Sequence, residues 1–271
     1  WLRQRLERQL TPRNALFSQL YNKPTLSVDK LLAELKSFRE RLLAIMVDAS
    51  QLLHEALIRQ DRILLEGQLG ALRDVDHGIY PYSTSSSPLA GQAAVGAGLP
   101  PWAITDIVAV VKAYSSCVGA GPFVTEWHGE QAQSLRERGG DRGEYGATTG
   151  RPRRVGPFDA VATRYGCRVQ GATRLALTNL DVLGTGDDIP LCVAYELDSV
   201  KRQDFPLTYE LERCQPVYEW LAGWNQDIST VRDWTDLPAQ ARCFIERVED
   251  LLEVPVDLLS VGPHREAMIS R

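Results

Sequence analysis

The sequence predicts an α/β fold built on a mainly parallel central sheet flanked by helices, and two observations carry that expectation. Short apolar runs at 63–65, 175–177 and 256–259 each end in a polar or glycine turn, at Glu66-Gly67, at Asn179 to Asp181 and at Ser260 to Gly262. Patterns with helical spacing lie between them. Ligands of open α/β sheets bind beyond the carboxyl ends of the strands, so these turns are expected along one functional edge.

Taken in order, Leu31, Leu35, Phe38, Leu42, Ile45 and Met46 recur at helical spacing between Val28 and about Gln60, with charged residues between them. They predict one long amphipathic helix or two consecutive ones. Ile63, Leu64 and Leu65 predict a buried strand leading into the Glu66-Gly67 turn. Residues 78–101, rich in Gly, Ser, Pro and Ala, have no clear period and read as a folded loop region. A helix or strand pattern resumes from Ile104 to Val118, and a helix is expected from Phe158 through Val169. Strands follow at Leu175 to Leu177 and at Leu191 to Leu197. Near the end, Asp236 is placed to cap a helix whose apolar face is Ala241, Phe244, Ile245, Val248, Leu251 and Leu252. Pro255 stops that helix, and the strand Val256 to Leu259 runs into Ser260. The expected organisation is a helical segment over 1–60 and an α/β part over 61–271.

Composition narrows the function. A chain of 271 residues with 44% hydrophobic and 24% charged residues can bury a substantial core and is not of the disordered class. Its net charge of -5 argues against a general nucleic-acid binder. No apolar run approaches the roughly 20 residues of a membrane span, and the opening W-L-R-Q-R-L-E-R lacks the apolar core of a secretory signal. The cytosol is the expected compartment. Cys117, Cys167, Cys192, Cys214 and Cys243 are odd in number and scattered, so neither a disulfide framework nor a zinc site is expected. The first residue is Trp1 instead of Met, and the chain is expected to be a fragment or processed piece.

The most informative stretch is Tyr145 to Phe158, Y-G-A-T-T-G-R-P-R-R-V-G-P-F, which holds three arginines and no acid in a chain that is acidic overall. Glycines let backbone N–H groups approach a ligand, and Arg151, Arg153 and Arg154 offer planar forks that fit carboxylate or phosphate oxygens. The window reads as an anion receptor or as a solvated basic loop. Asp181, in T-N-L-D at a strand end, is suited to accept from the ring N–H and exocyclic amine of guanine, or simply to cap the next turn. The loop S-V-G-P offers N–H groups and a hydroxyl. Asp74, Asp76 and His77 have metal-ligand chemistry but more often brace a loop. Thr84 lies in a hydroxyl-rich turn after Tyr80 and Tyr82 that could hold a phosphate. No G-x-x-x-x-G-K-[ST] phosphate loop occurs.

The segments D-x-D-H-G-x-Y-P-Y, T-S-S, V-K-A-Y, V-G-A-G-P-F, G-A-T-T-G-R-P-R-R, F-D-A-V-A, C-V-A-Y-E-L, P-V-Y-E and P-V-D-L-L-S-V-G-P follow one another as in adenylosuccinate synthetase. From about Leu64 to Ile269 the chain resembles that family. The resemblance implies a P-loop NTPase-like architecture, here truncated at its N-terminus, and a homodimeric enzyme. It implies GTP- and magnesium-dependent joining of IMP to L-aspartate through 6-phosphoryl-IMP. By resemblance, Thr84 and Arg151 contact IMP. Ala147, Thr148, Thr149, Gly150, Arg151, Pro152 and Arg153 form the aspartate loop. Arg153, Leu180, Asp181, Ser260, Val261 and Gly262 contact GTP. The family's phosphate loop, catalytic base, general acid and magnesium ligands belong to an N-terminal region without counterpart here, so this chain is expected to carry no catalytic or metal residue and to be inactive alone. The family's E-G-A-Q-G reads E-G-Q-L-G, with Leu69 in place of glutamine. Its T-K-L-D reads T-N-L-D, with Asn179 in place of lysine. These two departures raise the alternative of a non-catalytic homologue that serves as a nucleotide-binding or assembly module.

Overall fold

The computed structural model describes residues 1–140, 142–184 and 188–271, and the chain divides into two compact units, Trp1–Asp61 and Arg62–Arg271. The first contains helices α1 (Leu2–Gln19), α2 (Val28–Ser37), α3 (Arg39–Leu43) and α4 (Ala49–Ile58). The apolar periodicity at 28–60 is therefore cut into three helices. Ser27 caps α2 by accepting from the Lys30 N–H at 3.4 Å, and Asp48 caps α4 by accepting from the Gln51 N–H at 3.0 Å. A side chain that satisfies an orphan N–H in this way starts a new helix in place of extending the old one. The loop after α1 is clamped by Asn14, whose amide both donates to the Leu26 carbonyl and accepts from its N–H, each at 2.8 Å.

The second unit runs through α5 (Ala90–Ala97), β1 (Val108–Lys112), β2 (Ser115–Cys117), α6 (Gly129–Arg138), β3 (Arg154–Gly156), β4 (Phe158–Asp159) and α7 (Ala160–Gln170). It continues with β5 (Arg174–Thr178), β6 (Asp188–Leu197), β7 (Val200–Arg202), α8 (Thr208–Leu211), β8 (Gln215–Ala222), α9 (Ala239–Leu252), β9 (Val256–Ser260) and β10 (Met268–Ser270). The central sheet has the order β1-β5-β9-β10, with β1, β5 and β9 parallel and β10 antiparallel at the edge. Lys112 stands opposite Thr178, and Leu177 stands opposite Leu259, so the three strands deliver their carboxyl ends to one edge. A second sheet pairs β6 with β4, β7 and β8, and β2 pairs with β3 in a short ribbon.

The core forms where α9 lays its apolar face on the central sheet. Phe244, Ile245 and Val248 are fully buried with Leu175, Leu177 and Leu259. Burial of each such side chain is worth about 1.5–3 kcal/mol, which holds the strand ends in place.

Three expectations need correction. Residues 63–65 form no strand, and Leu64 is 91% exposed, because three apolar residues with no pairing partner among the described residues cannot hold an extended backbone. Asp236 does not cap α9. It ends a short 3₁₀ turn organised by Asp233, and Pro238 occupies the cap position. Residues 78–101 are not all loop, since α5 lies within them. Its sequence A-G-Q-A-A-V-G-A carries helix-favouring alanines but no large apolar stripe to reveal the period.

Asp159 joins the sheet to α7. Its carboxylate caps the helix by accepting from the Ala162 N–H at 3.0 Å and accepts from the buried Tyr195 hydroxyl at 2.5 Å. Burial dominates and pushes its pKa up to about 6, against the lowering effect of those donors. The unfolded chain releases this proton near pH 3.9, so the native state binds more protons between about pH 4 and 6. The Asp159 contribution to stability is thus fully present below about pH 4 and is lost as the pH rises through about 6. Urea unfolding of wild type and Asp159→Asn should show this directly. The stability of wild type relative to the variant should fall by on the order of 2–3 kcal/mol between pH 4 and 6 and stay level above.

Candidate functional site

The arginine window folds as a closed loop. Tyr145 bridges to Pro152, Gly146 N–H donates to the Arg151 carbonyl at 2.8 Å, Gly150 N–H to the Gly146 carbonyl at 2.8 Å, and Arg153 N–H to the Glu144 carbonyl at 2.8 Å. Gly150, at φ 65°, takes the left-handed turn that closes the tip. Ala147, Thr148, Thr149, Gly150, Arg151 and Pro152 are exposed there.

The three arginines have different partners, which corrects the expectation that all offer free forks. Arg154 faces inward: its Nε donates to Glu126 Oε1 at 2.9 Å, its Nη2 pairs with Glu126 Oε2, and its guanidinium lies 5.5 Å from the Phe123 ring centre. Arg153 is half committed, with Nη1 donating to Glu144 Oε2 at 2.9 Å and its buried Nε without a partner among the described residues. Arg151 is exposed and has no acidic partner among the described residues. A cation left unpaired in an acid-free loop is the group available to an outside anion.

The turn 117–121 ties this loop to the Thr84 turn. Arg154 Nη1 donates to the carbonyls of Gly119 at 3.2 Å and Gly121 at 2.7 Å. From the other side Arg73 donates to Val118 at 2.8 Å and Ala120 at 3.3 Å. Arg73 also donates to the Tyr82 carbonyl at 2.6 Å, and its own carbonyl accepts the Thr84 N–H at 2.8 Å. Gly121, at φ 116°, must be glycine because a Cβ would lie 2.8 Å from the Tyr82 ring. Thr84 is half-buried with its hydroxyl 3.5 Å from Ser86 Oγ. Asp74 is buried and engaged by the N–H groups of Asp76 and His77 at 2.9 and 2.8 Å and by Ser87 Oγ. It braces the loop. Among the described residues no group of three or more His, Cys, Asp and Glu residues converges to hold a metal ion.

At the carboxyl ends of β5 and β9 lies a cleft of about 140 Å³ lined by Gly140, Asn179, Asp181, Ser260, Gly262 and Pro263. The structure thus brings together the two turns that the sequence singled out separately. Asn179, at φ 61°, reverses the chain after β5 in a conformation that asparagine tolerates. Ser260 Oγ donates to the Gly262 carbonyl at 2.9 Å, and the Val261 N–H to the Ala267 carbonyl at 3.0 Å. Leu180 and Val261 are fully buried, so their side chains anchor the cleft from below. Asp181 is half-buried, and burial raises its carboxyl pKa above the ordinary value. Its own backbone N–H opposes that rise and the charge of Asp227 reinforces it. A ligand with two N–H donors would reverse the rise by bonding the ionised form.

An α/β chain with a cation-tipped loop and a cleft at the carboxyl ends of two parallel strands has the layout in which open α/β sheets hold their ligands. The family model described as adenylosuccinate synthetase matches residues 1–269. The chain is 44% identical over 266 residues to adenylosuccinate synthetase of Thermobifida fusca (strain YX), covering 98% of this chain and 62% of the relative. It is also 44% identical over 265 residues to that of Streptococcus sanguinis (strain SK36), covering 97% and 61%. The fully ligated adenylosuccinate synthetase from Plasmodium falciparum superimposes with a TM-score of 0.90 at 33% identity, over 100% of this chain and 64% of that one. The chain belongs to the adenylosuccinate synthetase family, and it spans about three fifths of the length of the relatives it matches. No helix among the described residues is long and apolar enough to cross a membrane.

Arg73, Glu126 and Glu144 are the structurally decisive residues that sequence reasoning missed. Only the excess of arginine over acid in the window hinted that some of its charge would need partners elsewhere. Alanine substitution should separate the arginines by thermal melting. Arg154→Ala, which strips a partly buried ion pair and two carbonyl bonds, should cost about 2–4 kcal/mol, whereas Arg151→Ala should stay within about 0.5 kcal/mol of wild type.

Proposed function

We propose that the protein to which this chain belongs joins IMP to L-aspartate at the expense of GTP, forming adenylosuccinate, GDP and phosphate. The observation that carries this reading is the unpaired Arg151 beside the half-committed Arg153 on the exposed tip of an acid-free loop, in a member of the adenylosuccinate synthetase family. In this reading the loop Ala147–Arg153 binds the carboxylates of aspartate. Thr84 and Arg151 meet IMP. The cleft formed by Asp181, Ser260 and Gly262, with the backbone of Leu180 and Val261, takes the guanine of GTP, and Arg153 approaches the same nucleotide.

The loop's part in the reaction is placement. IMP phosphorylated on its 6-oxygen has a good leaving group, and carboxylates gripped by arginines hold the aspartate nitrogen where it can bond to C6 as phosphate departs. The proton-transfer groups, the phosphate cradle and the magnesium ligands are assigned to the two fifths of the family's length that this chain does not span. The enzyme is read as a cytosolic homodimer.

A second reading, a nucleotide-binding homologue without turnover, is favoured by Leu69 and Asn179. Leu69 is 57% exposed, at φ 77°. Asn179 lacks the aliphatic stem that would cover a guanine ring.

The full-length polypeptide decides between them. It should form adenylosuccinate from IMP, L-aspartate and GTP. Arg151→Ala should lower kcat/KM for aspartate by roughly 10- to 100-fold, the worth of one charge-assisted bond. Asp181→Ala should instead raise KM for GTP. Binding of all three compounds by wild type without any product would establish the second reading.

A further inference from the structure

Glu144 is 1% exposed and lies directly beneath the arginine loop. Its Oε1 accepts from the Tyr114 hydroxyl at 2.5 Å and pairs with Lys112 Nζ, while its Oε2 accepts from Arg153 Nη1 at 2.9 Å. Burial raises the pKa of this carboxyl, yet the bonds from Lys112, Tyr114 and Arg153 together hold it below its ordinary value. It is therefore ionised, and it faces two cations. One carboxylate cannot neutralise both, so this group of three carries one positive charge in excess.

The division of labour between its two oxygens is the informative feature. Lys112 is the last residue of β1, a strand of the central sheet, and Tyr114 follows two residues later, so together they fix Oε1 to the end of the sheet. Oε2 is then a fixed point for one nitrogen of Arg153. The Arg153 backbone is held separately, because its carbonyl accepts from Arg136 Nε of α6 at 2.9 Å and its N–H donates to the Glu144 carbonyl. Yet the Nε of Arg153 is buried and has no partner among the described residues. The Arg153 side chain is nevertheless 32% exposed, so the guanidinium is held from below at one nitrogen and is reachable by an outside acceptor from the surface.

We propose that Glu144 is the positioning residue of the anion site: it anchors the Arg153 guanidinium to the sheet so that the remaining N–H groups face the carboxylate bound at the loop tip. This inference rests on the reading of the loop as a carboxylate site, and it adds that the affinity of that site is set by a buried acid that never touches the ligand.

The test combines nuclear magnetic resonance of the arginine Nε–H groups with steady-state kinetics on the full-length protein. In wild type the Arg153 Nε–H should be rigid, with an order parameter near about 0.85, and in Glu144→Gln it should fall below about 0.6. KM for L-aspartate should rise at least about tenfold in that variant, with kcat at saturating aspartate changed much less. Lys112→Met leaves the Oε2 contact in place and removes one of the two donors that hold Oε1, so it should move the Arg153 signal and the aspartate KM in the same direction as Glu144→Gln but by clearly less. Glu144→Asp, which retains the charge on a shorter stem, should fall between wild type and Glu144→Gln, and it decides the matter should the glutamine variant fail to fold. An Arg153 signal and an aspartate KM unmoved by either Glu144 variant, or moved equally by Lys112→Met, overturn the proposal. Should wild type use no aspartate at all, the carboxylate reading fails by itself, and the Arg153 order parameter alone still rules for or against the anchoring.

Discussion

A carboxylate taken out of water must be given donors, and the three that Glu144 receives determine the shape of everything above it. Two come from the end of β1 and just beyond it and one from the arginine loop, so the bond network stitches a mobile class of structure, a glycine-rich loop, to the least mobile, a parallel sheet packed on α9. Without that stitch the loop would be a cluster of like charges with every reason to spread apart. With it Arg153 is held at one nitrogen; Arg154 pairs separately with Glu126, and Arg151 is the most exposed of the three. The charge left at the loop tip is thus produced by subtraction: the buried Glu144 and the partly buried Glu126 pair with Arg153 and Arg154, and Arg151 has no acidic partner among the described residues.

The turn 117–121 performs the complementary task of registration. Successive carbonyls of V-G-A-G point to opposite sides, and Arg73 takes Val118 and Ala120 while Arg154 takes Gly119 and Gly121. Arg73 also carries the Thr84 turn on its carbonyl, so one short stretch of backbone is hydrogen-bonded, through Arg73 and Arg154, to both segments. On the opposite flank the Asn179–Asp181 and Ser260–Gly262 turns are set by the register of β5 and β9, so the cleft between them inherits its width from strand pairing. The candidate groups sit on loops, and strand ends and ion pairs set their geometry.

Much of this was legible in the residues. The strands at 175–177 and 256–259 and the helix face of α9 are announced by apolar runs and period, and two of the three expected turns, at Asn179–Asp181 and Ser260–Gly262, lie together at one sheet edge. The sign reversal of the arginine window marked the loop. What the sequence concealed was partnership. Nothing local distinguishes Arg153 and Arg154, which are paired, from Arg151, which has no acidic partner among the described residues, because the difference is made by Glu144, 9 residues from Arg153, and Glu126, 28 residues from Arg154. The strand expected at 63–65 failed for the same reason, since a strand exists only where another backbone pairs with it. α5 escaped notice because a helix of small residues has no apolar stripe, and β8 because Pro216 and Glu219 interrupt its alternation.

The central claim is that the tip of the 144–153 loop is a receptor for a dicarboxylate placed by Arg151 and Arg153. The most direct measurement is a crystal structure of the full-length protein grown with IMP and L-aspartate. The account predicts aspartate carboxylate oxygens within hydrogen-bonding distance of the Arg151 guanidinium and the free nitrogens of Arg153, with the Arg153–Glu144 bond intact. Aspartate bound elsewhere while this tip stays bare, or Arg153 swung away from Glu144 to reach its ligand, would contradict it.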